Sequence, residues 1–261
     1  MNGDWITPDW PAPEWVRSVF STRHGGVSSA PYDSLNLGDH VGDAAAAVAR
    51  NRRIFADALE ARPVFLHQVH GSALVQLAPG MPDGTQADGC ISIGAGLACT
   101  IMVADCLPVL FTDTRGVAVA AAHAGWRGLA GSQGAGILDT VVPALRSAAL
   151  AAGAAGSGAG ETIAWLGPCI GPRAFEVGDE VKQAFVSRDR DAAGMFRPYS
   201  AGKWLADLQG LARLRLATLG VKRVYGNDGS DAWCTVSNPL RFFSHRRDRV
   251  SGRLAASIWL A

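Results

Sequence analysis

Three apolar runs follow one another in the middle of the chain and constrain its fold more than any other feature. They are LACTIMVA at 97–104, LPVLFTD at 107–113 and GVAVAAAH at 116–123. Apolar residues continue through each run with little alternation, which is typical of strands that are covered on both faces. The runs therefore predict a large sheet that is buried on both sides.

Helices and strands are mixed along the rest of the chain without a strict strand–helix–strand rhythm. This pattern favours an α+β fold with large sheets over a doubly wound one. Further strands are predicted at 16–23, 63–71, 162–167, 222–228, 240–248 and 254–261, and helices at 43–59, 129–150, 175–185 and 203–220. Asp43 is the expected N-cap of the first helix, and the Ala/Gly-rich stretch 151–161 is predicted to be a surface loop.

Length and charge narrow the classes of protein that fit. We interpret residues 1–261 as a single domain with an extended, proline-broken arm over about residues 1–15. The 24 basic and 23 acidic residues form no long block of like charge, which argues against nucleic acid or a membrane as a partner. The N-terminal residues do not resemble a signal peptide, and the five cysteines form no CxxC pair. Both features favour a cytoplasmic location.

One cysteine and two histidines interrupt or end apolar segments. Cys106 lies at the break between two runs, His123 ends the third run, and His70 follows a predicted strand. A catalytic zinc ion binds three imidazole, thiolate or carboxylate ligands and keeps one position open. Three adjacent strands that end at one sheet edge would bring these side chains together. His67 lies three residues from His70 and points to the opposite face of its strand, so only one of the two is expected to be a ligand.

The same residue types allow two other interpretations. Cys106 and a histidine could form a nucleophile pair without a metal, with Asp105 or a second histidine orienting the base. Each residue could also be structural, since a single cysteine in an apolar run is usually a small buried hydrophobe. Residue types and spacing leave the metal and the nucleophile interpretations open.

Several motifs in order nevertheless resemble the YfiH-like, laccase-domain family, from about Ser21 to Ile258. They are STRHGGVSSAPYDSLNLG (21–38), LHQVHG (66–71), ADGCIS (87–92), VADCLPVLFTD (103–113), AAHAGWRG (121–128), GPCIGPRAFEVGDEV (167–181) and FFSHRRD (242–248). The resemblance implies a four-layer α/β/β/α sandwich with mixed sheets, related to a class of cysteine hydrolases. It also implies one zinc ion bound by His70, Cys106 and His123, with copper as a substitute.

Family members have been described as polyphenol oxidases, purine nucleoside phosphorylases and peptidoglycan editing factors. The resemblance favours a zinc-dependent purine nucleoside phosphorylase, acting on adenosine, inosine, guanosine and methylthioadenosine, with adenosine deaminase activity. The alternative is a hydrolase that edits peptidoglycan precursors with Cys106 and a histidine, or with zinc-bound water. Copper-dependent polyphenol oxidation is less favoured because six histidines are few for a multicopper centre. A purely structural zinc would need a fourth protein ligand.

Residues that would bind the nucleoside and phosphate are harder to select. Cationic donors suited to phosphate are Arg23, Arg127 and Arg246 or its neighbour Arg247. Asn36 and Gln68 could hydrogen-bond a base edge or the ribose, and either Phe242 or Phe243 could stack on a purine. Cys169 is expected to be a buried structural thiol. The oligomeric state stays open.

Overall fold

The computed structural model describes residues 4–132, 134–153 and 160–261. The strands are, in chain order, β1 (Val16–Phe20), β2 (Arg62–Phe65), β3 (Leu74–Gln76), β4 (Gly89–Ser92), β5 (Leu97–Val103), β6 (Leu107–Asp113), β7 (Val119–Ala124), β8 (Thr162–Leu166), β9 (Glu176–Gly178), β10 (Phe196–Ser200), β11 (Lys203–Ala206), β12 (Arg223–Gly226) and β13 (Leu254–Leu260). The helices are α1 (Ala45–Leu59), α2 (Trp126–Ala130), α3 (Ile137–Ala152), α4 (Asp179–Val186), α5 (Leu208–Thr218) and α6 (His245–Asp248). No described helix is both long and apolar enough to cross a membrane.

The strands form three sheets. One has the order β1-β13-β5-β2, the second β12-β8-β6-β7-β4-β3 and the third β10-β11-β9. Parallel and antiparallel pairs occur together in the two larger sheets: β2 is parallel to β5, whereas β13 is antiparallel to it. The prediction of an α+β fold with mixed sheets is confirmed.

The three apolar runs are divided between the two larger sheets. The run that forms β5 lies in the four-stranded sheet, whereas the runs that form β6 and β7 lie in the six-stranded one. The chain therefore crosses from one sheet to the other at residues 104–106. The prediction of a single sheet edge for the reactive residues is wrong, because a two-residue break in an apolar pattern does not show that the chain changes sheet.

Buried side chains explain why these strands are apolar on both faces. Between the sheets, Ile101 of the four-stranded sheet shares one core with Leu110 of the six-stranded sheet. On the outer side of the four-stranded sheet, Phe55 of α1 joins a second core. On the outer side of the six-stranded sheet, Val141 of α3 packs in the same core as Phe111. Helices thus pack on the outer side of both larger sheets.

Several helix boundaries differ from the predicted ones. Asp43 is not the N-cap of α1: that position is Ala44, and the Asp43 carboxylate accepts hydrogen bonds from Ser28 and Asn36 in the preceding loop. The helix predicted at 129–150 is two helices, α2 and α3. The helices predicted at 175–185 and 203–220 begin later, after the short strands β9 and β11. In the last two cases the early residues pair as strands instead, because β9 and β11 are hydrogen-bonded neighbours in the third sheet.

The predicted strand at 240–248 is wrong. Ser244 caps the short helix α6 by accepting the backbone N–H of Arg247. Phe242 and Phe243 are both fully buried, so neither is free to stack on a purine. The Arg247 guanidinium donates to the carbonyl groups of Thr235 and Phe242, among others, and so has a structural role. The predicted loop at 151–161 includes residues 154–159, which lie outside the described part of the chain.

We expect Phe111→Ala to destabilise the fold strongly, because Phe111 is 0% exposed and lies in the core that α3 covers. Truncation of a buried aromatic side chain lowers the free energy of unfolding by about 3–5 kcal/mol. Urea unfolding measures this change. Tyr199→Ala is the matched control, since Tyr199 is 60% exposed; equal losses for both variants would contradict the assigned core.

Candidate metal centre

Cys106 lies at the point where the chain passes between the two larger sheets. The residue before it, Asp105, has a φ of 87°, in the left-handed region that most residues avoid. Its carboxylate compensates for this conformation by accepting hydrogen bonds from the Thr235 hydroxyl and the Arg246 backbone N–H, both at 2.6 Å. The Asp105 backbone carbonyl accepts the N–H of Ile170. These bonds fix the turn that directs the Cys106 side chain.

His70 also has a left-handed backbone, with a φ of 62°. The loop that carries it is held by one carboxylate, that of Asp88, which is fully buried. Asp88 accepts the consecutive backbone N–H groups of Val69, His70 and Gly71 at distances of 3.2, 2.8 and 2.7 Å. Three donors on one carboxylate over-determine the loop, which explains how a strained conformation persists there.

His123 lies on β7 and is held by the same carboxylate. The ring Nδ1 of His123 lies 2.8 Å from Asp88 Oδ1, and the His123 backbone N–H donates to the Asp88 carbonyl. An N–H on Nδ1 leaves Nε2 with a lone pair, which is the arrangement in which metal-binding histidines are usually oriented. Asp88 therefore positions both histidines.

The three side chains converge. One ligand atom from each of His70, Cys106 and His123 lies within 4.8 Å of the other two. The Cys106 sulfur is 3.7 Å from His70 Nε2. Sulfur and nitrogen ligands of a tetrahedral zinc ion lie about 3.5 Å apart, so this separation suits one metal ion. Two imidazoles and one thiolate form a donor set for zinc or copper, and His67 lies outside the group.

Gly125 explains the AHAGW motif next to the ligands. A Cβ atom at Gly125 would lie 2.9 Å from the Cys106 sulfur and 3.0 Å from Cδ2 of His70. Any side chain at this position would displace the ligands. The backbone of residue 125 can thus pass against the centre because it carries no side chain.

Without a metal, the ligands form a charged pair. Burial raises the pKa of the Cys106 thiol, but the positive charge of His123 and hydrogen bonds from both histidines outweigh this and lower it to about 6. Burial lowers the pKa of His123, but the Cys106 thiolate and Asp88 raise it to about 9. The metal-free centre at neutral pH therefore holds a thiolate beside an imidazolium.

The centre opens into a cavity of about 460 Å³, a size typical of small-molecule sites. Its lining includes apolar side chains, namely Met102, Trp126, Ile170, Phe175 and Leu208. It also includes the guanidinium groups of Arg127, Arg246, Arg249 and Arg253 and the imidazoles of His40 and His245. The lining carboxylate of Asp105 is already engaged by two donors. The cavity can therefore hold a partly apolar ligand with an anionic group.

Three of the residues predicted to bind substrate line this cavity. The Arg127 guanidinium is exposed and lies 4.5 Å from the Trp126 ring centroid. Arg246 extends over Phe175 and donates to the carbonyl groups of Ala174 and Glu176. Gln68 lines the cavity, but both ends of its amide are bonded to the backbone of Met102.

Arg23 and Asn36 do not line the cavity, and the hydrogen bonds of each residue indicate a structural role. The Arg23 guanidinium donates to Asp33 and to the Pro239 carbonyl. Asn36 is fully buried, and its amide bonds to Gly38, Asp43 and the backbone N–H of Arg253. The sequence alone does not separate these roles, because a polar residue in a glycine-rich segment has the same pattern whether it stabilises a loop or contacts a ligand.

Two important residues were absent from the sequence-based selection. Asp88 lies in the ADGCIS motif, directly before β4. A carboxylate in front of a buried strand is the sequence feature that could have identified it. Arg253 lies directly before β13 and lines the cavity. No sequence pattern marks it, because residues that are far apart in the chain surround it. Cys169 is fully buried, and burial raises the pKa of its thiol well above the usual value.

Comparison with known proteins gives consistent matches over nearly the whole chain. Residues 17–261 match the family described as multi-copper polyphenol oxidoreductase laccase. A purine nucleoside phosphorylase of Pseudomonas aeruginosa is 49% identical, with 100% of this chain and 99% of the relative aligned. Purine nucleoside phosphorylase YfiH of Escherichia coli is 46% identical, with 98% of each chain aligned.

Solved structures match as well. The crystal structure of a Neisseria meningitidis protein of the DUF152 family has a TM-score of 0.88 and 44% identity, and covers 98% of this chain and 99% of its own. YlmD from Geobacillus stearothermophilus has a TM-score of 0.81 and 29% identity, and covers 100% of this chain and 97% of its own.

Asp88→Asn should weaken metal binding by about 10-fold to 100-fold, the usual effect of losing a partner that orients a ligand. The amide of asparagine would turn an NH₂ group toward backbone N–H donors or toward the His123 ring. Competition with a chromophoric chelator measures the affinity. Asp113→Asn is the matched control, because Asp113 is a buried carboxylate that pairs with Arg115 away from the centre. Unchanged affinity in Asp88→Asn would contradict the positioning role.

Metal-free protein should react with iodoacetamide at Cys106, with the rate reaching half its maximum near pH 6 because the thiolate persists down to that pH. An ordinary thiol has its midpoint near pH 8.5. The other four cysteines are buried and should react slowly. Mass spectrometry of the modified peptide measures the rate, and Cys106→Ser is the control. Loading with zinc should suppress the reaction; an equal rate with and without zinc would show that the sulfur is not a ligand.

Proposed function

This chain belongs to the multi-copper polyphenol oxidoreductase laccase family, and we propose that within it the protein acts as a zinc-dependent purine nucleoside phosphorylase. The observation that carries the proposal is a cluster of two imidazoles and one thiol, placed as for one metal ion, that opens into a cavity with basic and apolar side chains. The relatives that carry the name purine nucleoside phosphorylase align with nearly the full chain, which supports the same activity here.

Zinc is the metal we propose, with copper as a substitute. A multicopper oxidase needs a blue copper site and further copper ions, and so many imidazole ligands. The chain has six histidines. Among the described residues, His70 and His123 belong to the one group of three or more metal-binding side chains that lie close together. A single ion with a thiolate and two imidazoles, and with a position left for another ligand, fits catalytic zinc.

In phosphorolysis, an oxygen atom of phosphate forms a bond to C1′ of the ribose while the bond from C1′ to the base nitrogen breaks. The electron pair of that bond goes to the base, which then takes up a proton. The products are the free purine and ribose 1-phosphate. The site must therefore bind an anion on one side of the ribose and stabilise negative charge on the base on the other side.

The lining of the cavity supplies both kinds of contact. Side chains such as Met102, Phe175 and Leu208 form an apolar surface that suits the purine ring. Arg127, Arg246 and Arg253 place positive charge on the lining, which suits the phosphate anion. Trp126 lines the same cavity and stacks with the Arg127 guanidinium. We propose adenosine, inosine, guanosine and methylthioadenosine as nucleosides that this arrangement accepts.

Adenosine deamination is the second activity we propose for the same centre. A zinc ion, when bound, lowers the pKa of a coordinated water and so supplies a nucleophile for C6 of adenine. The residues of this chain hold the ion and enclose the nucleoside, with Asp88 keeping the two histidines in place.

A hydrolase that edits peptidoglycan precursors is the alternative, and the Cys106–His123 pair favours it. A thiolate with a pKa of about 6 beside an imidazolium resembles an activated cysteine nucleophile. The two functions make different demands on the sulfur, because a sulfur that binds metal is not free to attack a carbonyl group. Metal dependence therefore separates a cysteine hydrolase from a phosphorylase.

We expect the zinc-loaded protein to release hypoxanthine from inosine when phosphate is present and not when phosphate is omitted. Removal of the metal with a chelator should abolish the reaction, and zinc should restore it. Cys106→Ala should lower kcat/KM by at least about 100-fold, because it removes a metal ligand. Chromatography of the bases measures the rate.

Cys99→Ala is the control, since it removes a buried thiol from β5 outside the metal ligands. Full activity of Cys106→Ala would contradict the proposal. A UDP-sugar peptide serves as the competing substrate: cleavage of this peptide without phosphorolysis, and without a need for metal, would favour the editing hydrolase.

A further inference from the structure

We infer that Arg253 is the principal anion-binding residue of the cavity and that it binds the inorganic phosphate used in the reaction. The inference rests on the proposed phosphorolysis for the identity of the anion. The inference that an anion binds there at all does not depend on phosphorolysis, because it is argued from the structure around Arg253.

The structure holds the Arg253 side chain in place. Its backbone N–H donates to Oδ1 of the buried Asn36 at 2.8 Å. Its Nη1 donates to the carbonyl groups of Ser251 and Gly252 at 2.9 and 3.1 Å. The aliphatic stem packs against Gly38, where a Cβ atom would lie only 2.7 Å from Cγ of Arg253. One edge of the guanidinium is thus fixed by its own segment of chain.

The positive charge of Arg253 lacks a matching carboxylate. Among the described residues, no carboxylate oxygen lies within 4.0 Å of its guanidinium nitrogens. Asp105 is near enough to interact but is already bonded to Thr235 and to the backbone of Arg246. Burial lowers the pKa of Arg253, and the attraction of Cys106 and Asp105 opposes that shift. A desolvated cation that faces a cavity is costly unless an anion joins it.

The other arginines at or near the site are less suited to this role. Arg127 and Arg249 are exposed to solvent, and Arg127 also stacks on Trp126. Arg246 joins α6 to the segment that contains Ala174 and Glu176, which gives its guanidinium a structural task between two parts of the chain. The bonds of Arg253, in contrast, go to the two residues before it and only orient it.

Phosphate matches the chemistry of this position. A guanidinium presents paired N–H donors that suit the oxygens of a phosphate group, and a doubly charged anion gains most from a partly desolvated cation. Arg253 lines the same cavity as Cys106 and His123, so a phosphate held there would lie beside the metal centre. The apolar wall formed by Met102, Phe175 and Leu208 would remain available for the purine.

Arg253→Met tests the role, because methionine keeps an unbranched stem against Gly38 and removes the charge. We expect the KM for phosphate to rise about 10-fold to 100-fold, the usual range for losing a charge-assisted hydrogen bond. The KM for inosine should change by less than about 3-fold. Arg253→Lys should restore part of the phosphate affinity, since it keeps the charge but not the paired donors.

Gly38→Ala provides a second variant that leaves Arg253 in the sequence. The added methyl group should displace the Arg253 stem and raise the KM for phosphate in the same direction. Arg50→Gln is the control, because it removes one positive charge from the exposed face of α1. Zinc content and thermal unfolding should match the wild type in every variant used.

Titration calorimetry of inorganic phosphate into the zinc-loaded protein separates this inference from the proposed function. Binding that is lost in Arg253→Met supports the inference even if no nucleoside is cleaved. Binding that persists in Arg253→Met, or an absence of phosphate binding to the wild type, would overturn it. The inference would also fail if phosphorolysis occurs and Arg253→Met raises only the KM for inosine.

Discussion

A single buried carboxylate, that of Asp88, connects the two larger sheets at the metal centre. Asp88 precedes β4 of the six-stranded sheet, and it accepts the backbone N–H groups of the loop that follows β2 of the four-stranded sheet. The same carboxylate bonds the ring of His123 on β7. Burial raises the pKa of Asp88, but hydrogen bonds from His123 and the backbone outweigh this and lower it. Asp88 is therefore charged at neutral pH, where it stabilises both the sheet junction and the orientation of two metal ligands.

The position of Cys106, the third side chain of the cluster, also depends on a carboxylate, that of Asp105. Where the chain crosses between the sheets, Asp105 adopts a left-handed conformation, and its carboxylate is held by Thr235 and by the N-terminal turn of α6. The elements that shape one wall of the cavity thus also fix the turn before Cys106. The candidate centre lies at a junction between the sheets and opens into the cavity. Its three side chains stay attached to a strand or to loops held by the carboxylates of Asp88 and Asp105.

The sequence predicted the chemistry of the site better than its surroundings. The resemblance carried by the motifs implies His70, Cys106 and His123 as the ligands, and the structure brings these side chains together. The position of the centre between two sheets was not predictable, because an apolar run does not indicate which sheet receives it. Arg23 and Asn36 were selected for their residue type, whereas hydrogen bonds to Asp33 and Arg253 determine what they do. Phe242 and Phe243 were assigned to a strand by their β propensity, but Ser244 caps a helix directly after them, and tertiary burial encloses both rings.

Charge balance in the cavity links the metal to the anion. In the metal-free centre, the Cys106 thiolate is a partial counter-ion for both His123 and Arg253. A divalent ion, when bound to the sulfur, would neutralise this negative charge and add positive charge of its own. Arg253 then lacks even its partial counter-ion, and the basic wall that includes Arg127 and Arg249 becomes more attractive to a phosphate. Because coupling between two ligands is reciprocal, a bound phosphate stabilises the metal to the same extent that the metal stabilises the phosphate. The His70, Cys106 and His123 cluster and the arginines around it would therefore act as one electrostatic unit under the proposed function, in which a bound metal favours binding of an anion.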